Sequence, residues 1–196
     1  MSEMSAAASM RLFIAVDPSP QCIELFGRAI ERMRPLAPRA RWVRAEKLHV
    51  TLVFLGQIEE TKISLITDAL QSVAETRAPF ELRFGDGGTF GGAKRPRVLW
   101  AGIGGNLPAL CALQKDLAER LEKTIGYTPE HRAYAPHLTL ARAGDPRGDA
   151  KLWDCANELA GQSFGETTID EVILYRSETS SEGAKYTALQ RVPLRA

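Results

Sequence analysis

Apolar residues run almost without interruption from Arg11 to Val16 (RLFIAV), which predicts a central strand. From Cys22 to Met33 they recur instead at Cys22, Ile23, Phe26, Ile30 and Met33, a helical spacing. Ser19 is placed to cap that helix and Pro20 to start its first turn. The two periods then alternate down the chain, with strands predicted over 39–44, 49–55, 80–84, 98–103, 137–142, 169–175 and 186–192 and helices over 59–74, 107–125 and 151–160. Gly85 to Gly92 (GDGGTFGG) reads as a flexible turn, and it lacks the Gly-Lys-Ser/Thr ending of a phosphate-binding loop. Pro129 to Pro136 reads as an irregular approach, and Glu178 to Gly183 as a polar loop.

One strand pattern occurs twice. His49-Val50-Thr51-Leu52 returns as His137-Leu138-Thr139-Leu140, and these frames hold two of the three histidines. Side chains on a strand alternate faces. His and Thr therefore share one face, while Val50 and Leu52, or Leu138 and Leu140, hold the other to a core. A single copy would be an ordinary half-buried strand, but two distant copies point to a two-histidine site. The repeat also predicts an α+β fold of two similar lobes related by an approximate internal twofold. Antiparallel or mixed sheets would surround a central cleft, with helices outside.

Composition narrows the setting. A length of 196 residues suits one two-lobed domain, expected over 10–196, behind a disordered Ala/Ser-rich tail at 1–9. That tail has neither the basic start nor the apolar core of a signal segment, and no apolar run is long enough for a membrane span. A cytoplasmic monomer without membrane contact is expected. The net charge of +1 excludes bulk polycationic attraction to nucleic acid, so any such contact must be a local patch. Arg41, Arg44, Arg95, Arg97 and Arg142 lie in or beside strands around the motifs and are candidates for its rim. Cys22, Cys111 and Cys155 are odd in number and widely spaced, as buried small residues rather than a disulfide framework. His131 has no partner pattern and reads as a surface residue.

Histidine titrates near neutrality, so two in one cleft can divide acid and base work. Thr51 and Thr139 can donate hydrogen bonds to an oxyanion, and an arginine can neutralise it. Arg142 follows His137 by five residues, so strict alternation sends it to the opposite face and only a bend in the strand would return it. These groups suit displacement at a phosphodiester, most easily a cyclic one. Two His and two Thr make a poor metal-ligand set, there is no HExxH or His-x-Asp cluster, and neither metal nor cofactor is expected.

The segments RLFIAV, RWVRAEKLHVTLVFLG, RPRVLW, YAPHLTLAR and DEVILYRSE followed by YTAL resemble the RNA 2',3'-cyclic phosphodiesterases, also described as 2'-5' RNA ligases, of the 2H phosphoesterase superfamily. The resemblance spans Arg11 to Leu194. It implies the 2H phosphoesterase fold and the opening of a 2',3'-cyclic phosphate at an RNA end to a 2'-phosphomonoester. It also implies His49 as proton donor, His137 as proton acceptor, and Thr51, Thr139 and Arg142 as phosphate-binding groups. The residues alone do not choose which histidine is acid, nor the product. Action on another cyclic or 2'-5' linkage, 2'-5' ligation, and non-catalytic RNA binding remain the alternatives.

Overall fold

A computed structural model describes residues 8–92, 94–129, 132–180 and 183–195. Met1 to Ala7 and His131, for which a tail and a surface role were expected, lie outside these residues. The chain runs β1 (Ser9–Val16), α1 (Pro20–Met33), β2 (Arg41–Trp42), β3 (Val50–Glu59), α2 (Ile63–Ala74), β4 (Phe80–Gly91), β5 (Pro96–Gly105), α3 (Leu107–Ile125), β6 (Leu138–Arg142), α4 (Lys151–Leu159), β7 (Ser163–Ile169), β8 (Glu171–Ser180) and β9 (Gly183–Pro193). The first strand takes in Ser9, the last residue of the expected tail, by pairing it with Glu59. The predicted cap of α1 is present, with the Ser19 hydroxyl accepting from the Cys22 amide.

The strands form one antiparallel sheet in the order β7-β4-β5-β6-β3-β1-β8-β9, with β2 added beside β6. The expected α+β fold with an internal twofold is therefore built on a continuous sheet, one half (β3, β1, β8, β9) mirrored by the other (β6, β5, β4, β7). The lobes are not successive stretches of chain. β8 and β9, from the C-terminal end, complete the lobe that β1 begins. Helices cross over as well: α1 leaves β1 and packs on β7 of the other lobe, while α3 leaves β5 and packs against α2, which itself lies on β8 and β9. Phe26 of α1 stacks on Phe164 of β7 at 4.4 Å, one contact of the apolar core beneath the sheet. Cys22 and Cys155 are buried in that core as expected, but Cys111 is exposed, on the outer side of α3.

Three predicted elements differ. The glycine run is not a turn but the second half of β4, paired with β5 up to Gly91. Its glycines make room: a Cβ on Gly87 would lie 2.4 Å from Leu159 of α4, and one on Gly88 2.5 Å from the Trp100 indole. Glu178 to Ser180 extends β8, and Ser180 pairs with Gly183 of β9. β7, at the edge of the sheet, is not separable in the sequence from the strand that follows it, because only Asp170 divides them.

Candidate active site

The two HxT frames meet at the centre of the sheet. Val50 pairs with Leu138, and both are fully buried. His49 and His137 each stand immediately before a strand, β3 and β6, in the same position relative to that pair. Both rings are fixed alike. The Nδ1–H of His49 donates to the Lys47 carbonyl at 2.8 Å, and that of His137 to the Ala135 carbonyl at 2.8 Å. A carbonyl only accepts, so Nδ1 carries the proton in each neutral ring, and Nε2 remains for a reacting group. Thr51, Thr139 and both histidines are half-buried, while Leu52 and Leu140 are buried, as the alternation requires.

Beyond the threonines the alternation breaks, twice and in the same way. Ala15 and Phe13 lie two apart on β1 and so share a face, but they pair with Thr51 and Phe54, three apart on β3. Trp100 and Val98, two apart on β5, likewise pair with Thr139 and Arg142, three apart on β6. Paired residues point to the same side of a sheet. Each motif strand therefore carries a bulge, with Leu52-Val53 and Leu140-Ala141 as buried doublets. The bulge in β6 supplies the bend that Arg142 needs to join His137 and Thr139. The bulge in β3 turns Phe54 to the same face. Strict alternation misses both placements, although consecutive apolar residues after each HxT are their signal in the sequence.

Surroundings differ between the histidines. His49 is enclosed by Phe13 (4.8 Å between ring centroids), Tyr186 (5.3 Å) and Tyr175 (6.4 Å). Burial lowers its pKa below the ordinary histidine value; the Lys47 carbonyl and the Asp17 carboxylate oppose the shift, and the charges of His137 and Arg142 add to it. Asp17 accepts a 2.6 Å hydrogen bond from Tyr175, and burial raises its own pKa. The ring of His137 meets Phe90, edge-on at 4.9 Å. Beside Thr51 and His137 opens a cavity of about 460 Å³, walled by α3 and the segment leading to β6; His49 and Thr139 are not on its wall. Phe13, Phe54, Phe90, Tyr175, Tyr186 and Asp17 do not stand out as site residues in the sequence, because each reads there as ordinary core or turn.

Of the other rim candidates, Arg41 pairs directly with Arg142 and shares its face. Arg95 is engaged by Asp145 and the Gly148 carbonyl, away from the motifs. Arg97 is exposed at a register shift of β5 against β4, and Arg44 is exposed just before the short turn at 45–47. Among the described residues no three His, Cys, Asp or Glu side chains gather as a metal site, and no helix is long and apolar enough to cross a membrane.

A curled antiparallel sheet with paired HxT strands at its centre is the fold of the 2H phosphoesterases. The chain belongs to the 2'-5' RNA ligase superfamily, whose family model matches residues 13–180. It is 32% identical over 181 residues to the RNA 2',3'-cyclic phosphodiesterase of Methanothermobacter thermautotrophicus, covering 92% of this chain and 97% of that one. It is 30% identical over 188 residues to the protein of the same name from Aquifex aeolicus, covering 92% of this chain and 95% of that one. Among solved structures, the protein TT0787 of Thermus thermophilus superposes with a TM-score of 0.80 at 27% identity, covering 95% of this chain and 99% of that one. Escherichia coli LigT complexed with 3'-AMP superposes with a TM-score of 0.70 at 26% identity, covering 96% of this chain and all (100%) of that one.

Proposed function

We propose that this protein hydrolyses 2',3'-cyclic phosphodiesters at RNA ends to 2'-phosphomonoesters, without a metal, by paired-histidine acid–base catalysis. The observation that carries this reading is the matched pair of Nδ1–carbonyl hydrogen bonds, which leaves two Nε2 atoms available beside one sheet centre. His137 Nε2 takes the proton of a water whose oxygen attacks phosphorus. The phosphorus–O3' bond breaks, and His49 Nε2 gives its proton to the departing O3'. The product holds the phosphate on O2' and a free 3' hydroxyl. Thr51 and Thr139 donate to the non-bridging oxygens, and Arg142 balances their charge. The names of the relatives support the substrate class, and the family resemblance supports the division of acid and base between His49 and His137. To act as the acid His49 must carry the second proton, and the Asp17 carboxylate favours that protonated ring against the burial that lowers its pKa.

The test is product analysis on an oligonucleotide ending in a 2',3'-cyclic phosphate, with and without EDTA. A 2'-phosphate end, formed equally in both, is expected. A 3'-phosphate product would reverse the leaving oxygen. Activity abolished by EDTA and restored by one divalent ion would replace the acid–base assignment with a metal-bound water.

A further inference from the structure

Arg41 and Arg142 stand directly opposite each other on β2 and β6, on the face that carries Thr139 and His137. Neighbouring strands lie about 4.8 Å apart, so the two guanidinium groups share one patch of that face. Both side chains are exposed, and neither forms an ion pair with a carboxylate among the described residues. Like charges directly opposite destabilise a sheet. The chain nevertheless builds an element for this arrangement. β2 has two residues, and it pairs with β6 alone. Trp42 anchors it from the core side, its indole N–H donating to the Ala37 carbonyl at 3.2 Å. The chain then leaves β6 through the turn at 45–47 and returns to it at Val50. Arg41 Nη2 donates to the Ala143 carbonyl at 3.4 Å, which leaves its other N–H groups for a ligand. Lys47, which follows in that turn, is engaged by the Ala184 carbonyl.

We propose that Arg41 is a second anion subsite beside Arg142, and that it takes the phosphodiester joining the terminal nucleoside to the rest of the RNA strand. This rests on the phosphodiesterase reading above. A cyclic phosphate is a diester with a single negative charge, and Arg142 balances it. A second arginine on the next strand has no counter-charge unless the substrate brings one. A free nucleoside 2',3'-cyclic phosphate brings none, whereas in an RNA strand the adjoining linkage supplies it. A planar guanidinium suits this contact, because it forks onto the two non-bridging oxygens. Such a contact positions the strand and reads no base. It therefore favours the end of a strand over the free cyclic nucleotide, whatever the sequence.

The experiment compares two dinucleotides, both ending in a 2',3'-cyclic phosphate. One is the 3'-5' adenosine dinucleotide, and the other carries a neutral methylphosphonate in place of its internal phosphodiester. For the unaltered protein, kcat/KM should favour the charged linkage by roughly 5- to 10-fold, between an exposed ion pair and a charge-assisted hydrogen bond. Arg41→Ala should bring that ratio toward one, and Arg41→Lys should keep part of it. Arg142→Ala should lower both rates and keep the ratio. Binding of the charged dinucleotide's 2'-phosphate product should show a log–log salt slope shallower by about 0.7 in Arg41→Ala, the share of one single-strand phosphate contact. Equal use of both dinucleotides by the unaltered protein would overturn the subsite while leaving the phosphodiesterase reading intact. So would a ratio that survives in Arg41→Ala. Failure to open either dinucleotide, with a binding preference for the charged linkage that Arg41→Ala removes, would instead overturn the reaction assignment and keep the subsite.

Discussion

Val50 and Leu138 face each other across the only rung that joins β3 to β6 among the described residues. The pseudo-twofold passes between them, because each is the residue between the His and the Thr of its own frame. Continued by one step, this register points His49 toward Thr139 and Thr51 toward His137. Each lobe therefore sends its histidine toward the threonine of the other. A phosphate at the centre would draw one proton-transfer group and one hydroxyl from each side.

Removing either imidazole should be severe. His49→Ala and His137→Ala are each expected to lose roughly 10²- to 10⁴-fold in turnover of a cyclic-phosphate substrate. The double variant should lose less than the product of the two, since the pair acts as a unit. A substrate whose leaving oxygen needs little protonation should restore His49→Ala far more than His137→Ala. Equal restoration would mean that the two roles are not divided as proposed.

Rate against pH should be bell-shaped, with apparent limits that belong to the coupled pair. Burial holds His49 below the ordinary histidine pKa while Asp17 pulls it upward. An acid must be protonated to act, so Asp17→Asn should move the alkaline limb to lower pH. The shift also sets the sign of stability. The unfolded chain binds the His49 proton more readily than the folded one, so stability contributed by this residue falls as pH drops through about 6.5. Thermal unfolding at a series of pH values reads this directly, and the dependence should weaken in His49→Ala.

Arg142 should matter through its guanidinium. Arg142→Ala is expected to cost on the order of 1.5–3 kcal/mol in kcat/KM, the range for a hydrogen bond to a charged oxygen. Arg142→Lys should recover only part of it, because an ammonium cannot form the two-pronged contact. Binding of the RNA end should weaken with salt along a shallow slope, as suits a few arginines near the site, Arg41, Arg132 and Arg142 among them. Identical activity in Arg142→Ala would place the bulge outside the chemistry.

Gly88→Ala should destabilise the fold, since its Cβ would enter the Trp100 indole at 2.5 Å. Overpacking of this kind costs about 1–3 kcal/mol. The disturbance has a short path to the site: Trp100 packs on Phe90 at 5.2 Å, and Phe90 on His137 at 4.9 Å. Thermal melting together with turnover would separate loss of fold from displacement of His137.

Local periodicity carried much of this architecture. The HxT frames, the helices and the central strands follow from it, as does the sharing of a sheet face by His and Thr. What depended on distant partners did not. Gly85 to Gly92 reads as a turn until Trp100 and Leu159 are seen to need the space. Phe54 reads as core in a strand of apolar residues until a bulge, visible only as a register shift against β1, turns it outward. Asp17 reads as a turn residue until Tyr175, far along the chain, donates to it.

The interleaving of the lobes governs how the protein can be made and how it can be divided. The rings around His49 come from β1, β8 and β9, so the first histidine acquires its dry surroundings only after the strands of the opposite lobe have been synthesised. Such long-range closure slows folding, because the entropy of a large loop is lost before its contacts form. It also means that the internal repeat is no seam. A cut between the two HxT frames strips β3 and β1 of β8 and β9, and leaves α1 without the β7 surface it packs on. Neither fragment would be half of the protein in any physical sense, and the repeat survives as a symmetry of shape rather than as two separable parts.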